Sequence, residues 1–279
     1  MLAPVAILLN PVPLIYIAEI IMAALVFIGF SIRKELEEKN HDLQIASSIQ
    51  ISMLPECANE SDSRFSLYAS MTPAKEVGGD FYDHFMIDEN HLAFTVADVS
   101  GKGMPAALFM MRAVSTLRGF AQSGMEIEEI LKRTNQSLCL YNADKYFVTV
   151  WFGILDLESG NLQYVNAGHN PYVLRKANGN TNIIKAKSSM LLGGLDCVNY
   201  RANTDRLEKG DILYIYTDGV TEARNKSGEM FMNERMCSVV KSNSSPEKLC
   251  NEMLDKVNEF CSGVEQFDDI TMLALKYNG

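Results

Sequence analysis

The stretch HLAFTVADVSGKG at residues 91–103 decides the fold. Its apolar run ends at an aspartate, and small residues, serine and glycine, come soon after it. Strand-forming side chains fill its first half, and Asp98 stands where the strand should end, beside glycines that let backbone approach closely. Three other stretches place Asp beside Gly or another small residue next to an apolar run: GGD at 78–80, TDG at 217–219 and FDDIT at 267–271. We expect the fold to gather these four strand ends into one site.

Clustered carboxylates of this kind predict a site for a hard cation. Aspartate oxygens without cysteine or histidine suit magnesium or manganese, which accept oxygen ligands readily. A pair of such cations can activate water against a phosphate ester. The motifs therefore predict a metal-dependent enzyme that acts on phosphate.

The composition argues against several other classes of protein. The chain has 279 residues, 47% of them apolar, which allows one sizeable domain and an appendage. A formal net charge of −10 and the absence of basic runs argue against a nucleic-acid partner. The six cysteines show neither CxxC nor zinc-binding spacing, so we interpret them as buried, reduced thiols in a cytosolic domain.

Residues 1–32 differ in composition from the rest of the chain and predict a membrane anchor. Their one charged side chain is Glu19, and residues 14–32 form an apolar run. As a helix rising roughly 1.5 Å per residue, this run is long enough to cross a bilayer once. The Arg-Lys pair at 33–34 follows it, which places the C-terminal side in the cytoplasm. A buried core helix is the alternative, and residues 2–18 leave the number of spans open.

Residues 33–61 are interpreted as a linker, whose helix over 33–54 ends at Pro55. Its first turns are rich in charged helix formers. An apolar stripe at spacings of three, four and seven runs along one face and consists of Leu36, Leu43, Ala46, Ile49 and Met53. The stripe has two alternative uses, since it can pack on its own domain or form a homodimer with a second copy through a short coiled coil.

The remaining residues, 62–279, predict one α+β domain. Strands come first, then helices, then strands again, and this order favours α+β layering over a doubly wound sheet. The predicted strands are 65–71, 81–87, 91–97, 147–157, 162–166, 172–175, 212–217 and 270–276, and the predicted helices are 104–122, 126–141 and 246–261.

Five sequence signatures, taken together, resemble those of the bacterial phosphatases typified by stage II sporulation protein E and RsbU. The signatures are EVGGDFYD at 76–83, ADVSGKG at 97–103 with PAA at 105–107, NAGHNP at 166–171, YTDGVTEA at 216–223 and DDIT at 268–271. Those phosphatases belong to the wider protein phosphatase 2C-like class of metal-dependent serine/threonine phosphatases. The resemblance covers about residues 45–277, and it is specific because all five signatures occur in order.

The resemblance implies a four-layer αββα sandwich of two antiparallel sheets flanked by helices, with two divalent cations, Mn²⁺ or Mg²⁺, at one end. Asp98 matches the aspartate that bridges the cations, and Val99 matches the residue that offers a backbone carbonyl. Asp80 matches an acidic position that holds a metal-bound water or an additional cation. The implied metal ligands are Asp80, Asp98, Val99, Asp218, Asp268 and Asp269, and the implied catalytic residues are Asp98, Asp218 and Asp268. Which of Asp268 and Asp269 is the first ligand stays open.

Other polar residues near these motifs have structural alternatives. Asp83 and Asp88 are interpreted as turn or surface carboxylates. His169 is a candidate general acid, but its GHNP context favours a rigid turn packed on the sheet. Ser100 stands where the eukaryotic branch carries a histidine, so a direct histidine acid is absent at that position. Lys102 either approaches the substrate phosphate or caps the helix that follows.

The sequence therefore predicts a serine/threonine phosphatase at the cell membrane with its catalytic domain in the cytoplasm. The resemblance implies a phosphorylated regulatory protein as substrate, typically an anti-sigma-factor antagonist, and hence a role in signal transduction. The alternative is a signalling or binding module that keeps the fold with weak or lost catalysis. A manganese-dependent phosphatase assay separates the two.

Overall fold

The computed structural model describes residues 12–56 and 62–279, and within its first helix it describes no side chains for residues 12–15 and 18. The chain divides after Ser48 into two units. Helix α1 (Val12–Met53) supplies the described part of the first unit and ends just before Pro55. The predicted membrane segment, 1–32, lies partly outside the described residues. Among the residues described, none of the helices has the length and apolar character that a membrane crossing requires.

The second unit is built on two β-sheets. Its strands are β1 (Phe65–Thr72), β2 (Phe81–Met86), β3 (His91–Val99), β4 (Val148–Asp156), β5 (Asn161–Ala167), β6 (Tyr172–Arg175), β7 (Thr181–Ile184), β8 (Ser188–Ser189), β9 (Asn203–Arg206), β10 (Ile212–Tyr216) and β11 (Ile270–Tyr277). The first sheet has the order β1-β11-β10-β6-β7. The second has the order β2-β3-β4-β5-β8, with β9 beside β5. Pairing is antiparallel apart from the short parallel contact between β5 and β8.

Helices cover the outer face of each sheet. They are α2 (Met104–Ala121), α3 (Ile127–Cys139), α4 (Asp218–Thr221), α5 (Met232–Ser242) and α6 (Pro246–Phe260). One apolar cluster joins α2 and α3 to the second sheet, and another joins α5 and α6 to the first. A third cluster fills the space between the sheets. The layers therefore alternate helix, sheet, sheet, helix, and both sheets are apolar on both faces.

Strand β3 shows how the sequence produces these layers. Phe94 and Val96 point into the space between the sheets, while Ala93, Ala97 and Val99 face the helices. Small residues on the outer face leave room for the helix layer, and larger ones fill the space between the sheets. This is why the run at 91–99 is almost continuously apolar rather than alternating.

Aromatic rings pack around Trp151 at the centre of the inner layer. Its ring stacks on Tyr164 with centroids 5.1 Å apart and meets Tyr172 edge-on at 5.5 Å. Gly153 makes this packing possible, because a Cβ there would lie 2.6 Å from the Trp151 ring. The five cysteines that the structure describes are all free, but of these only Cys250 is buried, so the expectation of buried thiols is wrong for the other four.

The α+β prediction is confirmed, and most predicted elements agree to within two residues. Strand β6 has its predicted bounds, and β3 runs on to Val99, which brings Asp98 inside the strand. Helices α4 and α5 and strands β7, β8 and β9 were not predicted. Strand β9 has the polar sequence NTDR and pairs through its backbone with β5, so no apolar period marks it.

Candidate metal centre

The motif aspartates lie at strand ends of both sheets. Asp80 directly precedes β2, and Asp98 is the next-to-last residue of β3. The antiparallel register of these strands brings Asp80 next to Asp98. In the other sheet, Asp218 begins α4 just beyond β10, and Asp268 lies two residues before the neighbouring β11. The fold therefore gathers the strand ends, as the sequence predicts.

Burial and mutual repulsion disfavour the charged forms of these carboxylates. Burial, followed by the charges of Asp98 and Asp269, raises the pKa of Asp80 well above its ordinary value. Burial, followed by Asp218 and Asp268, raises the pKa of Asp98 to about 7. Burial, followed by Asp268, also raises the pKa of Asp218. A hydrogen bond between Asp80 and Asp98 partly offsets this repulsion, as expected when neighbouring carboxyl groups share a proton.

Thr217 connects Asp80 to the first sheet. Its hydroxyl donates to Asp80 Oδ2 at 2.7 Å, and the hydroxyl oxygen accepts from the Thr271 backbone N–H at 3.0 Å. Both threonines are fully buried. Asp80 is therefore held by a neutral donor from the opposite sheet, which fixes the position of its side chain.

Asp268 and Asp269 are adjacent in sequence but have different partners. Asp269 accepts backbone hydrogen bonds from Ala74 at 2.8 Å, from Gly79 at 2.7 Å and from Asp80 at 3.4 Å, so its carboxylate fixes the loop before β2. Asp268 is partly exposed and accepts from the Asp269 N–H at 3.0 Å. The geometry leaves Asp268 freer to bind a ligand and engages Asp269 with backbone donors.

Two motif glycines make room for Asp269. A Cβ on Gly78 would lie 2.6 Å from Asp269 Oδ2, and a Cβ on Gly219 would collide with the Asp269 carbonyl oxygen. A Cβ on Gly79 would similarly lie 2.9 Å from the carbonyl oxygen of Val99, the predicted backbone ligand. The glycines of GGD and TDG are therefore required by close backbone packing around the acidic cluster.

The donor set fits a hard cation. All predicted ligand atoms are oxygens, and the buried carboxylates repel one another. In the part of the chain that the structure describes, no three acidic, histidine or cysteine side chains form a metal-binding group by themselves. Magnesium commonly binds one or two carboxylates and several waters, so this chain's carboxylates with the Val99 carbonyl suit such a cation.

Gln50 contacts the GGD loop, and this contact was not predicted from the sequence. This residue is 2% exposed, and its Nε2 donates to the Gly78 carbonyl at 2.6 Å while its Oε1 accepts from the Gly78 N–H at 3.1 Å. It therefore fixes the backbone of the GGD loop from the last turn of α1. One signal was available, since Gln50 is spaced four residues after Ala46 and three before Met53, as a polar residue within the apolar stripe.

Asp83 is not the turn or surface carboxylate that the sequence suggests. It is buried and forms an ion pair with Arg118 of α2, with Arg118 Nε donating to Oδ2 at 2.9 Å. The pair could not be predicted from the sequence, because β2 and α2 are distant in sequence and meet only in the folded core. The interpretation of Asp88 is confirmed, since its carboxylate accepts the backbone N–H groups of Asn90 and His91 within a turn.

His169 occupies the predicted rigid turn. Its Nδ1 shares a hydrogen bond with the Thr149 hydroxyl at 2.8 Å, and its backbone is tied to the Asn166 side chain at 2.9 Å in both directions. Burial lowers the pKa of His169 to about 4, so the imidazole is neutral at neutral pH. Lys102 does not cap α2, since its ammonium reaches Asp268 at 3.0 Å instead.

Comparison with known proteins identifies the family. The sequence profile described as "Stage II sporulation protein E (SpoIIE)" matches residues 88–278. Protein IcfG of Synechocystis is 30% identical over 246 residues, which cover 77% of this chain and 38% of IcfG. Phosphoserine phosphatase RsbU of Bacillus subtilis is 28% identical over 250 residues, which cover 86% of this chain and 71% of RsbU. The chain thus spans well under half of one curated relative and about seven-tenths of another.

Solved structures share the fold. The SiaA-PP2C domain of Pseudomonas aeruginosa superimposes with a TM-score of 0.75 at 21% identity, covering 86% of this chain and 98% of that domain. The catalytic domain of the serine/threonine phosphatase PstP, solved with two manganese ions, has a TM-score of 0.58 at 11% identity and covers 77% of this chain and 99% of that domain. At these identities the likeness shows the PP2C-like fold alone.

Proposed function

This chain belongs to the SpoIIE family and carries its PP2C-like phosphatase domain, and from that premise we propose that it is a metal-dependent serine/threonine phosphatase that removes phosphate from a regulatory protein. One observation carries the proposal, namely the acidic cluster of Asp80, Asp98, Asp218 and Asp268 at the strand ends. Burial raises the pKa of the first three, and cation binding would relieve their repulsion.

The chain's own residues supply the frame for catalysis. Asp98, Asp218 and Asp268, with the Val99 carbonyl, would hold two divalent cations, Mn²⁺ or Mg²⁺. When bound, such ions would lower the pKa of a water and neutralise phosphate oxygens. Asp80 stays fixed by the Thr217 hydroxyl and positions its neighbour Asp98. Asp269, also predicted as a ligand, would act by positioning the GGD loop through its backbone hydrogen bonds.

We further propose a phosphorylated protein of sigma-factor regulation, of the anti-sigma-factor antagonist type, as substrate. The relative RsbU, which is named as a phosphoserine phosphatase, supports phosphoserine as the group that this substrate carries. A cavity of about 540 Å³ beside the centre supports it too, since Gly219 and Asp268 line it together with Glu222, Arg224 and Phe267. That volume accommodates residues that flank a phosphoserine and exceeds what a free phosphate ion requires.

Phosphate release from phosphoserine proteins, measured with purified protein and Mn²⁺, tests the activity. We expect turnover that requires Mn²⁺ or Mg²⁺ and disappears in Asp98→Asn. Binding of phosphoprotein without any release of phosphate under either metal would instead establish the non-catalytic binding module. Screening candidate antagonists in the same assay identifies the substrate.

A membrane anchor at 1–32, crossing once and leaving the domain in the cytoplasm, remains part of the proposal. Apolar side chains that are more than half exposed on α1, among them Ile20, Phe27 and Phe30, support it, and so does the basic pair at 33–34. Carbonate extraction of cell membranes tests the anchor. Full-length protein recovered only in the soluble fraction would contradict it.

We also propose that the linker helix controls the centre, either by docking or by homodimer formation through its stripe. The hydrogen bonds between Gln50 and Gly78 support such a link, because they join the end of α1 to the GGD loop. Replacing Leu43 and Ile49 with polar residues tests it. A changed turnover or metal dependence with retained melting temperature favours control, and unchanged values leave a passive linker.

A further inference from the structure

Lys102 extends from the loop after β3 to the acidic cluster. It lies between Gly101 and Gly103, whose φ angles of 90° and 76° turn the chain sharply. Its Nζ donates to the Phe267 carbonyl at 2.5 Å and to Asp268 Oδ2 at 3.0 Å. The ammonium also lies 3.8 Å from the centre of the Phe267 ring, which fixes it by a cation–π contact.

The Lys102 ammonium is a positive charge that acts on the acidic cluster. In the described part of the chain, Lys102 is the one basic side chain among the main influences on the pKa values of Asp80, Asp98 and Asp218, where it lowers that of Asp218. The side chain of Lys102 is 38% exposed. An ammonium group has three N–H donors, and two of them reach Phe267 and Asp268. The third is therefore available to a ligand that enters the centre.

We propose that Lys102 binds the phosphate group of the substrate, and this inference rests on the phosphatase function proposed above. A phosphate dianion that enters beside Asp268 needs positive charge in addition to the cations that offset the carboxylates. The third N–H donor of Lys102 supplies a charge-assisted hydrogen bond to a phosphate oxygen. When phosphate binds, the contact between the Lys102 ammonium and Asp268 would loosen, and Phe267 would keep the ammonium in place.

The contact between Lys102 and Asp268 should have the opposite effect on metal binding, which it opposes. Lys102 shares Asp268 Oδ2 with any cation that Asp268 would ligate, so the ion pair competes with metal binding. Loss of the lysine charge should therefore weaken phosphate binding without weakening Mn²⁺ binding. A residue that only held the 267–268 segment in place would move both affinities in the same direction.

Lys102→Gln and Lys102→Met remove the charge and keep most of the side-chain length, and Lys102→Arg keeps the charge. We expect the first two to raise both the KM for a phosphoserine peptide and the inhibition constant of inorganic phosphate about tenfold, with kcat less affected. Mn²⁺ affinity by titration calorimetry should be unchanged or higher. Lys102→Arg should stay within about threefold of wild type. Lys132→Gln, which removes an exposed lysine on α3, is the matched surface control.

Unchanged phosphate inhibition in both charge-removing variants overturns the proposal. Weaker Mn²⁺ binding together with a lower melting temperature also overturns it, because that pattern means a purely structural lysine. Calorimetry of phosphate binding to the Mn²⁺-loaded protein separates this proposal from the proposed function. Phosphate binding that depends on Lys102 in a protein without turnover would sustain the lysine's role and refute the phosphatase.

Discussion

Asp80 and Asp83 lie three residues apart, and each is 2% exposed, but the regions around them balance charge differently. Asp83 of β2 pairs with the partly exposed Arg118 of α2, so the fold supplies its counter-charge. Asp80 has a hydroxyl partner, Thr217, and lies among further carboxylates. The difference distinguishes two uses of a buried acid, since the fold supplies the counter-ion of one charge, whereas the other would be offset by a cation at the proposed site.

Substitutions near Asp83 and near Asp80 should cost different properties, stability in the first case and function in the second. Around Asp83, loss of the partner leaves a buried charge without a counter-ion and should cost stability. Around Asp80, loss of a carboxylate relieves repulsion in the metal-free protein and should cost function. Substitutions in the two regions should therefore have opposite signatures in stability and turnover.

The largest expected effect is on turnover in the acidic region. Asp98→Asn and Asp218→Asn each remove a negative oxygen ligand with little change in volume, so Mn²⁺-dependent phosphate release should fall on the order of 10³-fold. The domain should stay folded by circular dichroism. Asp88→Asn in the exposed turn is the control and should keep normal turnover. Near-normal turnover in either cluster variant would remove that residue from the centre.

Breaking the internal ion pair should have the largest effect on stability. Arg118→Met leaves Asp83 buried without its counter-ion and should lower the free energy of unfolding by about 3–5 kcal/mol in urea titrations. Asp83→Asn combined with Arg118→Met removes both charges and should recover part of that loss. A loss under about 1 kcal/mol in the single variant would show that the two regions do not differ in this way.

Substitution of Gln50 tests whether helix α1 holds the GGD loop, which contains Asp80 and precedes Asp83, in place. Gln50→Ala leaves the buried Gly78 N–H and carbonyl without their partner, so stability should fall by about 1–3 kcal/mol. Because the GGD loop loosens, Mn²⁺ affinity should fall about tenfold or more. Ser52→Ala, an exposed change in the same helical turn, is the control. Equal Mn²⁺ affinity in the two variants would mean that α1 does not influence the centre.

A further expected effect is a pH dependence of stability that is specific to the metal-free acidic region. The folded pKa of Asp98, about 7, lies above its ordinary value of 3.8, so the native state holds a proton there that the unfolded state has lost. This contribution to stability is present below pH 4 and is lost as pH rises to 7. The melting temperature of Asp98→Asn should therefore rise relative to wild type across that window.

Two buried histidines act in the opposite direction and must be separated from this effect. Burial lowers the pKa values of His84 and His169 to about 4, so their contribution is lost as pH falls from 6.5 towards 4. Both histidines are present in wild type and in Asp98→Asn, so the difference between the two melting curves removes their effect. A difference that is constant from pH 4 to 7 would contradict the raised pKa of Asp98.

Most of the architecture and the place of the site follow from local sequence patterns. Apolar runs that end in Asp beside Gly predicted the strand ends at Asp98 and Asp218, because side-chain polarity and glycine conformation act within a few residues. Unpredicted contacts all join distant segments. The Asp83–Arg118 pair, the Gln50–Gly78 contact and the backbone donors of Asp269 depend on packing between distant segments. Of these, Gln50 alone has a local signal, as a polar residue within the apolar stripe.

Strand β11 follows the other strands in sequence but lies between β1 and β10 in the first sheet. A growing chain that has reached residue 267 on the ribosome has made both neighbours, yet the gap between them is still open. It also lacks Asp268, Asp269 and Thr271, which order the acidic cluster. The acidic cluster is therefore incomplete during synthesis until residues 268–277 have emerged and entered the sheet, and the phosphatase activity proposed above would begin only then.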